Sequence, residues 1–200
     1  MCRGIIPRIF RRTGKDKILA RVANSNNNDE ERVKRVALTG FMGVGKTSIA
    51  RHLAHLLRCE RLDLDILIET SEKRSVGQII DAQGIDEYRR IETENLKLAL
   101  ARTSARIISL GGGAWTVAEN RDLIRNEGVT SVWLNASFMH CWNNIRFSKK
   151  ERPLARDKAS ARRLFDERRD VYALADWHFV VKQDLTSFEI ARQIVDEVFS

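Results

Sequence analysis

The chain is poor in the residues that mark several large protein classes. Of its 200 residues, 3 are cysteine, 2 are proline and 11 are glycine. Cys2, Cys59 and Cys141 are odd in number and widely spaced, which argues against a disulfide framework and for a reducing compartment. So few glycines exclude a collagen repeat, which needs about one residue in three. No uncharged apolar run approaches the ~18 residues of a membrane-spanning helix. The stretch from Ile107 to Ala118 is short and is broken by Ser109 and by Gly111, Gly112 and Gly113. A secretory signal is also missing, because Gly4-Ile5-Ile6-Pro7 is too short for the apolar core of one. An organellar leader is disfavoured because the arginine-rich start has no serine before Ser25.

What is present fits one globular domain preceded by a tail. Hydrophobic residues make up 43% of the chain, an ordinary share for a soluble protein and too many for a wholly disordered one. The net charge of +8 is unevenly spread: residues 1–35 hold ten Lys and Arg against four acids. The remaining residues are close to neutral, so a basic surface built for nucleic acid is not expected. Residues 22–31 are polar and low in complexity, and such a run cannot bury enough apolar area to offset its ordering entropy. Residues 1–33 therefore read as a basic, disordered tail, and residues 34–200 as the domain.

Within the domain, strand and helix patterns alternate. Val36 to Thr39 is a short buried strand, followed by a helix with Ile49, Leu53, Leu56 and Leu57 on one stripe. Glu60 to Asp65 reads as a second strand. Helices are expected over 75–82 and 85–103. Further strands are expected over Arg106–Leu110, Val129–Leu134 and His178–Val181, the last followed by a helix carrying Ile190, Ile194 and Val198. Such alternation predicts an α/β fold with a mostly parallel sheet between helices, and ligands at the carboxyl ends of its strands.

The chemistry-bearing residues cluster at those ends. Gly40-Phe41-Met42-Gly43-Val44-Gly45-Lys46-Thr47 fits the phosphate-binding loop at every fixed position, between a strand and a helix. Glycines let backbone N–H groups wrap phosphates, Lys46 reaches the outer phosphates, and the Thr47 hydroxyl can ligate Mg²⁺. Read as a strand end, Asp63 and Asp65 point to the same side by strand alternation. One can hold Mg²⁺ through water and the other can accept the proton of an attacking alcohol. Arg89, with Glu92 one turn later, can clamp a carboxylate. Gly111, Gly112 and Gly113 imply close approach of a small ligand. The charged stretch of about residues 148–158 reads as a mobile lid whose Arg152 can neutralise charge developing on a transferring phosphoryl group. Arg168 is a second candidate clamp. His52, His55 and Cys59 share a helix face, but three ligands on a helix that must pack against the sheet make no metal site.

In this order, these motifs resemble the shikimate kinase family, over about residues 34–200. The resemblance rests on the phosphate loop, Asp63-x-Asp65, Tyr88-Arg89 with Glu92, the Gly111–Ala114 loop, Arg152-Pro153-Leu154, and Arg168 with Tyr172. It implies a three-layer sandwich around a five-stranded parallel sheet of the nucleoside-monophosphate-kinase type, and transfer of the ATP γ-phosphoryl group to the 3-hydroxyl of shikimate. It implies Mg²⁺ as cofactor, held by Thr47 and, through water, by Asp63. The implied ATP site is Gly43, Val44, Gly45, Lys46, Thr47, Ser48 and Arg152, with Arg146 on adenine. Asp65, Arg89, Gly111, Gly112, Gly113 and Arg168 would bind shikimate; Lys46, Asp65 and Arg152 would be catalytic. A cytoplasmic monomer with no nucleic-acid or membrane partner is expected.

Several positions depart from the family pattern. Tyr88 stands where phenylalanine is usual, the lid reads Arg-Pro-Leu-Ala, Asp170 replaces a proline, and Trp115 is bulky after the glycine loop. These leave two alternatives. One is a kinase of the same fold acting on another small hydroxylated acid, such as an aminoshikimate or gluconate. The other is a shikimate-binding relative without turnover. Removing residues 1–33 is expected to leave kcat and KM unchanged, which steady-state kinetics of the truncated and full chains will check.

Overall fold

Short, fully buried apolar runs lie at the centre of the molecule. The computed structural model describes residues 33–101, 104–148 and 152–200. The expected tail, apart from Val33, and residues 149–151 of the expected lid lie outside the described residues. Along the chain come β1 (Val36–Thr39), α1 (Lys46–Leu56), β2 (Glu60–Asp63), α2 (Leu64–Glu72), α3 (Val76–Ala101), β3 (Ala105–Ser109), α4 (Ala118–Asn126), β4 (Thr130–Ala136), α5 (Phe138–Arg146), α6 (Lys158–Tyr172), β5 (Trp177–Val181) and α7 (Ser187–Val198). Single 3₁₀ turns occupy Ala114–Thr116 and Pro153–Ala155.

The strands form one parallel sheet in the order β2-β3-β1-β4-β5. Parallel strands covered on both faces are apolar throughout rather than alternating. β1 fits that rule, with Val36, Ala37, Leu38 and Thr39 all at 0% exposure. Leu38, Ile107, Ile108, Leu134 and Phe179 fill the middle of the core. Ser109 pairs in register with Leu38 on one side and with Asp63 on the other, so the tips of β1, β2 and β3 end side by side. That alignment brings three motif loops together. Among the described residues no helix is long and apolar enough to cross a membrane.

Several expected boundaries move. β2 stops at Asp63, and Leu64 opens α2, so Asp65 sits in the first turn of a helix rather than on a strand. Leu64 and Ile68, both fully buried, are spaced one helical turn apart, and this periodicity ends the strand. The strand-alternation argument therefore does not place Asp63 and Asp65. The expected helices 75–82 and 85–103 form one helical run, Val76–Ala101, broken in conformation at Gly84, whose φ is 85°. The helices α2, α4, α5 and α6 lie outside the helices that the sequence predicts. Asp157 caps α6 with its side chain, accepting from the N–H groups of Ala159 and Ser160. Arg35, counted above with the basic N-terminal segment, belongs to the domain, because its guanidinium donates to Leu100 O at 2.8 Å near the end of α3.

Candidate active site

The loop between β1 and α1 is seated on the backbone of a neighbouring helix. Gly43 has φ 79°, and a Cβ there would lie 2.5 Å from the carbonyl oxygen of Cys141 in α5. Asn144, also in α5, donates from Nδ2 to Gly43 O at 2.8 Å. Val44 is buried at 1% exposure, and its N–H bonds to Phe41 O at 3.3 Å. Lys46 opens α1 and folds back over the loop, donating from Nζ to Gly40 O at 2.7 Å and to Phe41 O at 3.2 Å. Burial brings its pKa down to about 8, against the pull of Asp65 and with the push of Arg152. The exposed Thr47 hydroxyl donates to Asp63 Oδ2 at 2.8 Å.

Two cavities meet beside this loop. The first, of about 370 Å³, is lined by Gly43, Gly45, Lys46, Thr47, Ser48, Asp63, Ser109, Leu110 and Asn144. The second, of about 60 Å³, is walled by Val76, Ile80, Tyr88, Arg89, Gly113, Pro153, Leu154 and Arg168. The first is of a size that suits a small ligand. Met42, Asp65, Gly112 and Arg152 line both. A group passing from one ligand to the other would cross at Asp65 and Arg152. Arg152 Nε is buried and has no hydrogen-bond partner among the described residues. Burial also pushes the Arg152 guanidinium below the usual arginine range, opposed by Asp65 and Glu69. A buried donor without a partner is costly unless an acceptor arrives.

The second cavity holds the two candidate clamps. Arg89 pairs through Nη1 with Oε2 of Glu92. Glu92 is at 0% exposure; burial pushes its carboxyl upward, while Arg89 pulls it down. Arg168, at 8% exposure, donates from Nη1 to Gly112 O at 3.0 Å. Tyr172, one turn further along α6, donates to the same oxygen. The glycine loop serves these side chains directly. A Cβ on Gly113 would lie 1.9 Å from Arg89 Nη2, and one on Gly111 would lie 2.6 Å from Glu92 Oε1 and 2.8 Å from Asp65 Oδ1.

Arg146 is not brought to either cavity; it ends α5 with its guanidinium 4.4 Å from the centroid of the Phe147 ring. Asn144 was missed in the sequence. Its partner lies 101 positions away, and no local pattern signals such a contact. Trp115 is buried at 2% exposure and donates from Nε1 to Val171 O at 3.0 Å, so its bulk supports α6 and does not line the second cavity.

A family model described as shikimate kinase matches residues 42–199. The chain belongs to the shikimate kinase family. It is 37% identical over 158 residues to the shikimate kinase of Geobacter metallireducens, covering 78% of this chain and 87% of that one. It is 36% identical over 170 residues to that of Ruegeria pomeroyi, covering 84% of each. A solved shikimate kinase from Acinetobacter baumannii in complex with shikimate superposes with a TM-score of 0.76 at 27% identity, over 83% of this chain and 93% of that one.

Membership in this kinase family implies ATP as the phosphoryl donor. The oxygen set at Thr47 and Asp63 fits Mg²⁺, which takes one or two protein oxygens and fills its other positions with phosphate and water. Phosphates in the loop raise the pKa of Lys46 from about 8, so ATP binding near that pH takes up protons. Calorimetry at about pH 8.5, where phosphate groups no longer titrate, in buffers of different ionisation enthalpy is expected to detect this uptake. Lys46→Arg, which stays charged throughout, is expected to lose it.

Proposed function

We propose that the chain transfers the γ-phosphoryl group of ATP to the 3-hydroxyl of shikimate, giving shikimate 3-phosphate and ADP. The observation that carries this reading is the placing of Asp65 and Arg152 at the junction of the two cavities, with Arg89 and Arg168 in the second. In this reading the second cavity takes the acceptor.

The residues divide the work as follows. Backbone N–H groups of the loop from Gly43 to Ser48 bind the ATP phosphates, aided by the N-terminus of α1. Lys46 exchanges its loop carbonyls for the outer phosphates. Arg152 brings its unpartnered Nε to the transferring phosphoryl group, where the charge it meets offsets its own burial. Asp65 accepts the hydrogen bond, and then the proton, of the attacking hydroxyl. Arg89 and Arg168 bind the acceptor carboxylate, and Gly111 to Gly113 leave room for its ring. Thr47 and Asp63 would hold Mg²⁺, Asp63 through water. When bound, this ion neutralises charge on the β- and γ-phosphates.

All these residues come from one chain, so the reading needs no second copy. Cys59 and Cys141 are free thiols, which supports a reducing cytoplasm.

The deciding assay is ADP release from Mg-ATP by the purified protein with shikimate, quinate or gluconate. Stimulation by shikimate alone is expected. Stimulation only by another acid would change the acceptor. Shikimate binding without turnover would mark a relative that binds but does not catalyse. Asp65→Asn is expected to lower kcat by about 10²–10⁴-fold with the fold intact, as measured by the same assay and by circular dichroism. Turnover at the parent rate would remove Asp65 from the mechanism.

A further inference from the structure

The hydroxyl of Tyr88 is the one atom by which this residue departs from the phenylalanine expected at its position. It lies next to Glu92, a fully buried carboxylate behind the cavity wall that Tyr88 and Arg89 form. Tyr88 is at 4% exposure, and its hydroxyl donates to Oε1 of Glu92 at 3.3 Å. The other carboxylate oxygen, Oε2, holds Arg89. The Arg89 guanidinium carbon also lies 5.3 Å from the centroid of the Tyr88 ring. One tyrosine thus touches both members of the pair, the arginine through its ring and the glutamate through its hydroxyl.

We propose that the Tyr88 hydroxyl is a positioning group for the acceptor clamp: by bonding Oε1 of Glu92 it fixes the carboxylate that aims Arg89 at the substrate. This rests on the reading of the second cavity as the shikimate site.

The chemistry favours such a role. Glu92 has no exposure, and a buried carboxylate needs donors on both oxygens. A bond from Arg89 to Oε2 alone leaves the carboxylate free to turn about its last torsion, and the guanidinium turns with it. A donor on Oε1 removes that freedom. The Tyr88 phenol keeps its proton and so can donate to the carboxylate, because burial, and then the charges of Glu92 and Asp65, push it well above the usual range. The groups facing Glu92 are Arg89 and Tyr88 from α3 and Asp65 from α2, with the bare Gly111 backbone closing over Oε1. Of these, Arg89 and Tyr88 favour the carboxylate, while burial and Asp65 oppose it. Losing the Tyr88 bond therefore raises the pH at which Glu92 takes a proton and loosens its hold on Arg89.

The test compares wild type with Tyr88→Phe, which keeps the ring and removes only the hydroxyl. KM for shikimate is expected to rise about three- to ten-fold, with kcat within about two-fold of wild type and KM for ATP unaltered. The acid limb of kcat/KM for shikimate is expected to move to higher pH. A second readout needs no substrate. Glutamate side chains labelled with ¹³C at the carboxyl are followed across pH, with Glu92 assigned from the Glu92→Gln spectrum. Its midpoint is expected to be higher in Tyr88→Phe. Equal KM values and equal midpoints overturn the proposal, as does a loss confined to kcat or to ATP binding. A wild type that does not respond to shikimate would overturn the proposed function instead, and the Glu92 titration would still decide the role of Tyr88.

Discussion

Two arginines in the second cavity depend on a stretch of backbone that carries no side chains. Arg89 reaches its position only because Gly113 has no Cβ, which would sit 1.9 Å from its Nη2. Arg168 is tied to Gly112 O, where Tyr172 also donates. Glu92 anchors Arg89 and itself needs Gly111 bare. The loop after β3 therefore joins α3 and α6, elements far apart in sequence, into one rigid frame. A guanidinium has five N–H donors, so each arginine is fixed by some of them and keeps others for a ligand. Ordering both side chains in advance removes an entropy cost that binding would otherwise carry.

At the junction of the cavities, charge is held in deliberate imbalance. Lys46 and Arg152 face Asp65, and burial lowers the pKa of both cations. Lys46 satisfies its ammonium with carbonyls of its own loop, whereas Arg152 Nε has no partner among the described residues. Both arrangements are second best for a cation and improve when an anion enters. The site is thus arranged for a phosphate before one arrives, and so little reorganisation is needed when charge moves between the ligands. Thr47 and Asp63 show the same economy on the other side, with a hydrogen bond between two groups that can turn to an ion and its waters.

Much of this was legible because the motifs are local. The phosphate loop follows from a glycine pattern between a strand and a helix, and both elements are present as expected. Asp65 is legible by residue type but not by geometry: Glu60 to Asp65 reads as one strand, whereas Leu64 opens a helix whose nine residues give few periods to recognise. The glycine loop reads as room for a small ligand, whereas the groups that come close in the structure are the side chains of Arg89, Glu92 and Asp65, which depends on how α2 and α3 fold over it. Asn144 and the sharing of Gly112 O by Arg168 and Tyr172 depend on contacts 101 and 56–60 residues apart, which no window of sequence contains.

The bulky departures bear on specificity in an unexpected way. Trp115 follows the glycine loop, where its volume threatens the acceptor space. Yet its indole N–H reaches Val171 O on α6, and Trp133 stacks on Tyr172 at 6.3 Å between centroids. These rings buttress the helix that carries Arg168 and Tyr172, and the cavity wall remains Val76, Ile80, Pro153 and Leu154. Such aliphatic walls discriminate weakly, since one methylene more or less changes binding by only about 1–3 kcal/mol. Polar groups discriminate far more strongly, because a ligand lacking the matching partner leaves them buried and unpaired. In the proposed reading, selection among small hydroxylated acids therefore falls to the distance between a hydroxyl at Asp65 and a carboxylate at Arg89 and Arg168. The glycine loop sets that distance, because all three side chains are positioned against it.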